Sequence, residues 1–189
     1  MLITGLQQAN HVPAFNTIWH ISAPSNVKAF VWRVLWGRIQ TRVDLSRIGL
    51  YFVGDDLKCP LCQLEDESVD HLLFCCVHAS TLWYKCYKWM GLVTVLPGEC
   101  SSHLFQHACE PWNKKQRTAW WDVWCAVVWS VWGWRNKVVF CNEAPDWSNA
   151  LDIIQWKSWK WISALEKDFQ CSIFKWISDP SSCLSQIGH

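Results

Sequence analysis

The chain carries almost no surplus of charge. Its 17 Lys and Arg face 16 Asp and Glu, a net +1, which removes a domain-wide basic excess as a ground for nucleic-acid binding and leaves only local patches. The opening residues, Met1 to Gln8, lack the basic segment and sustained apolar run of a secretory signal. The expectation is therefore an intracellular protein, with nothing to choose between nucleus and cytoplasm. No apolar stretch has the length of a membrane span either. The most apolar one, Ala119 to Trp134, falls short of the roughly 20 residues a bilayer core requires and contains Asp122. A buried helix is expected there, and no membrane contact. Phosphate-binding Gly-rich loops and the H-E-x-x-H, G-x-S-x-G and protein-kinase signatures are absent, so the chain is expected not to be an enzyme and to have no small-molecule substrate.

What is present in excess is tryptophan and cysteine, 17 and 11 residues. With no sign of export and an odd number of cysteines, a disulfide scaffold is the poorer explanation, and closely spaced thiols point to a metal. Half of the residues, 51%, are apolar, enough to bury a core and to exclude global disorder.

Periodicity divides the chain. Residues 1–17 are polar, contain Pro13, show no period and read as a loose arm. After Pro24-Ser25-Asn26, where Ser or Asn can cap a helix, Val27, Phe30, Val31, Val34 and Leu35 follow helical spacing up to Gly37. Thr41 and Asp44 resemble a capping box for a short helix that ends at Gly49. From Tyr51 to Asp70 no period is visible and six acidic residues face one lysine, so this loop needs an internal staple. Ser68 can then cap a helix from about Val69 to Met90, closing a module over 18–91. Residues 92–112 read as a connector, with Pro97-Gly98 and Pro111. Two long helical patterns follow over 113–170, about Asn113 to Phe140 and Trp147 to Phe169. The first is apolar all round, and the second has a core stripe of Leu151, Ile154, Trp159, Ile162 and Leu165 with Lys157, Lys160 and Lys167 toward water. Residues 171–189 read as a tail. The expected fold is mainly α, a small zinc-knuckle-like helical module followed by a Trp-rich helical hairpin.

The chemistry lies in Cys59, Cys62, His71 and Cys76, spaced C-x2-C-x8-H-x4-C. A C-x2-C turn presents two thiolates to one ion, and a His and a Cys on the next helix complete a tetrahedron suited to a single structural zinc. Four protein ligands leave no position for a reacting water. On an ideal helix Cys75, four residues after His71, lies nearer the imidazole's face than Cys76, five residues after it. Spacing alone therefore leaves the fourth ligand open.

The stretch from Trp19 to Trp83 resembles the zinc-binding domain that follows the reverse transcriptase in plant non-LTR retrotransposon polyproteins, and in stand-alone proteins derived from them. The matching residues are Trp19, Pro24, Val27-Lys28, Phe30, Trp32-Arg33, Arg38-Ile39, Thr41, Leu45, Gly49, Cys59, Cys62, Glu67, His71-Leu72 and Cys76. Trp129-Ser130-Val131-Trp132-Gly133-Trp134-Arg135-Asn136 is similar to the helical stretch that commonly follows the domain. The resemblance implies Cys76 as the fourth ligand. Asn26 and Ile48 stand where the family usually has Lys and Arg, so this copy is less basic than its relatives. Neither a polymerase region nor an acidic ribonuclease H-like site is found.

Three other patterns invite function. Val53-Gly54-Asp55-Asp56 resembles the paired aspartates of polymerases, yet that chemistry needs a further carboxylate from a separate strand, so a solvated turn is expected. Cys100, His103, His107 and Cys109 could hold a second metal but lie in the connector, and surface histidines with spare cysteines are the plainer reading. Lys28, Arg33, Arg38, Arg42 and Arg47, offset by Asp44 and interleaved with Trp32 and Trp36, form a basic and aromatic stretch able to stack bases and neutralise phosphates, or else simply a solvated face. The leading functional expectation is thus a zinc-stabilised accessory module that contacts RNA or single-stranded DNA through Lys28, Trp32, Arg33 and Arg38. The rival is a protein-interaction or structural remnant whose Trp-rich helices meet a partner or pack on the zinc unit.

Overall fold

A computed structural model describes residues 18–50, 56–106 and 112–187. The arm 1–17, residues 53–55 of the aspartate turn, His107 and Cys109 of the second metal pattern, and the last two residues of the expected tail lie outside these ranges. The elements in order are α1 (Ser25–Leu35), α2 (Arg42–Arg47), a π-helical turn (His71–Cys75), α3 (Val77–Met90), α4 (Cys100–Phe105), α5 (Lys114–Cys141), α6 (Ala150–Leu165), α7 (Ile173–Ser178) and α8 (Pro180–Ser185). Among the described residues there is no strand, only an isolated bridge between Lys58 and Asp66. The fold is mainly α, as the sequence predicts. No helix among the described residues is long and apolar enough to cross a membrane.

Helix α1 buries Val27, Phe30, Val31, Val34 and Leu35, the stripe its periodicity predicts. Its start differs from expectation. Pro24 is the cap residue and no side chain caps the turn, because the Pro24 carbonyl already accepts the Lys28 N–H and draws Ser25 and Asn26 into the helix. At α2 the expected cap is present, Thr41 Oγ1 accepting from the Asp44 N–H.

The organising element is α5. Asn113 and Gln116 form a reciprocal capping box at its start. Its apolar residues lie all round because neighbours surround it. Ala119, Trp120, Val123, Trp124, Ala126, Val127 and Val131 are buried, with α1, the π turn, α3, α6 and α8 packed about it. Three indole N–H groups in this interior find acceptors, Trp83 on the Leu73 carbonyl, Trp124 on His103 Nδ1 and Trp176 on Ser158 Oγ.

Two segments without a helical period nonetheless carry helices. In 92–106, the described part of the expected connector before its end, α4 buries Leu104 and sinks His103 among Phe74, Trp83 and Trp124. Residues 171–187 of the expected tail fold back as α7 and α8. Trp176, Leu184 and Ile187 are buried, and the carbonyls of Leu184 and Ile187 accept from Gln116 and Asn113 at the head of α5. Cys171 and Cys183 are joined as a disulfide, with Cα atoms 5.6 Å apart. The hairpin of α7 and α8 brings this pair together, while eight other cysteines among the described residues are free, so the chain is not a disulfide scaffold. On α6, Leu165 is exposed and Trp161, Gln155 and Ser158 are buried, so the core face is rotated from the stripe read in the sequence.

Two buried acids behave differently. Glu67 is fully buried and doubly paired with Arg135, its carboxylate accepting from Nε at 2.7 Å and Nη2 at 2.9 Å. A third bond comes from the Arg42 backbone N–H at 2.8 Å. Asp122, equally buried, has one oxygen on the Ser22 N–H at 3.2 Å and another without a partner. Burial without a countercharge in contact pushes its carboxyl up to about 7.

Two expectations follow. Removing one partner of the buried pair strands the other, so Arg135→Ala should lose about 3–5 kcal/mol in denaturant unfolding. Arg47→Ala, which breaks only the exposed contact with Asp44, should lose at most about 1 kcal/mol. For Asp122, the folded state keeps a proton that the unfolded chain, with a carboxyl near 3.9, has released. Stability from this group is therefore complete below about pH 4 and lost as pH rises through about 7. Asp122→Asn, which retains an acceptor for Ser22, should be more stable than the parent at pH 8 and match it near pH 4.

Candidate metal centre

The loop from Leu57 to Glu67 is a tight hairpin held by backbone bonds. The Cys59 N–H donates to the Glu65 carbonyl, Gln63 to Cys59 and Glu67 to Leu57. Gln63 takes a left-handed φ of 59° to make the turn. Lys58 and Asp66 pair across it at 3.2 Å. This geometry puts Cys59 and Cys62 on one side, facing the chain that follows.

That chain is not the continuous helix expected from Val69 to Met90. It forms a π turn over His71–Cys75, breaks at Cys76 and restarts as α3. The bond from the Cys76 N–H to the His71 carbonyl, 2.6 Å, spans five residues. A five-residue turn places positions i and i+5 on one side, and this decides between the two candidate cysteines. Cys76 Sγ joins Cys59, Cys62 and His71, with all four ligand atoms within 4.8 Å of one another. Cys75 points elsewhere, its exposed thiol toward the Gly98 carbonyl.

Three sulfurs and one imidazole make a soft donor set of the kind zinc takes in structural sites. Donor atoms about 2.0–2.3 Å from a common ion necessarily lie within about 4 Å of each other, close to the spread found here. His71 turns Nε2 toward the sulfurs, 3.3 Å from Cys62. Its buried Nδ1 makes no hydrogen bond and lies 3.3 Å from a Glu65 carboxylate oxygen. A carboxylate behind the imidazole sets which nitrogen keeps the proton and leaves Nε2 free to ligate. The two buried cysteines contact one another. Their shared hydrogen bond, reinforced by burial, pushes the Cys59 thiol up, and the same bond draws the Cys76 thiol below its usual range. Cys76 also stands at the N-terminus of α3, where the His78 and Ala79 N–H groups favour its thiolate. The cluster is suited to one zinc ion, and with four protein donors its role is structural.

Among the described residues no second cluster of metal-ligating side chains exists. His103, from the second metal pattern, is buried with its ring nitrogens directed to Trp124 and Tyr87. Lys28, Trp32 and Arg33 lie on α1 and Arg38 follows its end. Trp32 and Trp36 meet edge to face at 6.1 Å, and the Arg38 guanidinium lies 5.5 Å over the Trp36 ring. Sequence reasoning missed Glu65 behind the imidazole and the Arg135 partner of Glu67. The first lies within the acidic loop and could be sought from a His ligand's need of a carboxylate. The second is 68 residues away and has no local signal.

Residues 4–83 match the family described as zinc-binding in reverse transcriptase. That family is an accessory zinc-binding domain and not the catalytic part of a polymerase. The match contains all four cluster residues and stops short of α5. No curated protein and no solved structure matches the chain.

The purified chain should carry one zinc, and Cys76→Ser should lose it while Cys75→Ser retains it, as read by metal analysis after dialysis. Retention in the first variant with loss in the second would reverse the assignment drawn from the π turn.

Proposed function

We propose, from the match of residues 4–83 to the reverse-transcriptase zinc-binding family, that the protein is a non-catalytic, intracellular module that contacts single-stranded RNA or DNA. Its contact face is formed by Lys28, Trp32, Arg33 and Arg38. The observation that carries this reading is that cations without a carboxylate partner flank an exposed indole, the Arg38 guanidinium lying 5.5 Å over the Trp36 ring. Arg42, Arg47, Lys58, Lys115, Arg135, Lys137 and Lys175 pair with carboxylates. Lys28, Arg33 and Arg38 are among the cations that do not pair with a carboxylate of the described residues. Lys28 reaches the Trp19 carbonyl and Arg33 the Arg38 carbonyl, neither of them a countercharge, and Lys28 also acts at a distance on the buried Asp122 carboxyl.

Beside them Trp36 is 38% exposed, an indole on which a base can stack. Zinc serves this face indirectly. Glu67, at the end of the metal loop, accepts the Arg42 N–H at the start of α2, so the staple fixes the corner from which Arg38 projects. The rival reading, a partner bound by the Trp-rich helices, is weaker because Trp120, Trp124 and Trp176 are spent in the protein's own interior.

Fluorescence anisotropy with a labelled single-stranded RNA, titrated with salt, tests the proposal. Binding should weaken as salt rises. A Lys28→Ala, Arg33→Ala, Arg38→Ala triple variant should lower the slope of log K against log salt by about 2, from roughly 0.7 per phosphate contact. Absence of binding at low salt, or a triple variant that binds as the parent does, would reject it.

A further inference from the structure

Lys28 stands at the edge of a second feature, of which the family match covers one wall only. The segment Ser22 to Lys28 and helix α6 form opposite walls of an open groove of about 590 Å³, with Trp129 of α5 between them. Three lysines line it, Lys28, Lys157 and Lys160, together with Trp129, Trp156 and Trp161, and none of its lining residues is acidic. Lys157, expected to face water, is half-buried on Ser130 Oγ at 2.7 Å. No carboxylate among the described residues pairs with either α6 lysine. The Lys160 ammonium lies 4.7 Å over the Trp156 ring, and that ring is 50% exposed. The α1 N-terminus opens beside them with no side-chain cap and no acid in its first turn.

An exposed indole with a cation on its face, beside two more ammonium groups that pair with no carboxylate of the described residues, serves a ligand that is both flat and anionic. An acidic peptide would satisfy the lysines and leave the indole unused, whereas a single strand presents a phosphate and a π-face at every step. We infer that this groove is a single-stranded nucleic-acid site, with bases on Trp156 and Trp129 and phosphates at Lys28, Lys157 and Lys160. The inference rests on the nucleic-acid reading of the α1 face and extends it, since Lys28 belongs to both. A bound strand would run from Arg38 along α1 by way of Trp32 and Lys28 onto α6.

The test uses the zinc-loaded full chain and a labelled oligodeoxythymidine of about 12 nucleotides, within the span of single-strand sites. Trp156→Ala and Lys160→Glu alter exposed side chains outside the α1 face. Each should weaken binding about fivefold or more, the scale of one lost base stack. In an otherwise matching strand, 4-thiothymidine should crosslink to α6 peptides. If both variants bind as the parent does while Arg33→Ala and Arg38→Ala lose affinity, the groove is rejected and the α1 face stands. Loss in the α6 variants with Arg33→Ala and Arg38→Ala unaffected supports the groove and rejects the face. No binding by the parent rejects both. Displacement by polyglutamate as effective as by unlabelled strand marks an acidic-peptide site and overturns the inference.

Discussion

The structure depends on the buried pair between Glu67 and Arg135. A carboxylate taken wholly out of water is tolerated only with its charge matched and its oxygens bonded. Glu67 meets both conditions through the Arg135 guanidinium and the Arg42 N–H. The three groups come from the end of the metal loop, the C-terminal part of α5 and the start of α2. Because none can move without stranding a charge, the pair sets the metal loop's position against α5. The Arg135 guanidinium also lies 4.9 Å over the Trp132 ring, so the same contact locks the aromatic side of α5. The zinc cluster shapes its loop, and the ion pair attaches that loop to everything else.

The π turn is the second constraint, and it explains where sequence reasoning stops. C-x2-C and the later His are legible because their chemistry is local. The choice between Cys75 and Cys76 is not, since it depends on whether the turn closes over four residues or five, and ideal helical spacing favours the wrong one. The α1 stripe and α5, apolar all round, were likewise readable from residue order, as was the Thr41 cap. Residues 92–106 and 171–187 were not. Their apolar residues are too few and too irregular to show a period, and Leu104, Trp176 and Ile187 are buried only because distant helices supply the other wall. Asp122 was legible as an acid in an apolar helix. Its raised carboxyl follows from the full burial of that helix, which no local pattern fixes.

Tryptophan abundance has two different causes in this chain. Trp83, Trp120, Trp124 and Trp176 fill space between helices, a use that explains why an ordinary zinc module can be followed by so aromatic a sequence. Trp36 and Trp156 remain substantially exposed, each with a cation over its face. The distinction between filling and displaying is invisible in the count of residues and appears only when each ring's neighbours are known.

The return of residues 184–187 to the head of α5 has a bearing on how the molecule comes into being. The carbonyls of Leu184 and Ile187 close the first turn of a helix that begins some seventy residues earlier. During synthesis that helix must leave the ribosome with one flank uncovered, and it stays so until residue 187 has emerged. The thiolate cluster, complete once Cys76 is outside, gives the growing chain an anchored portion long before its interior can seal.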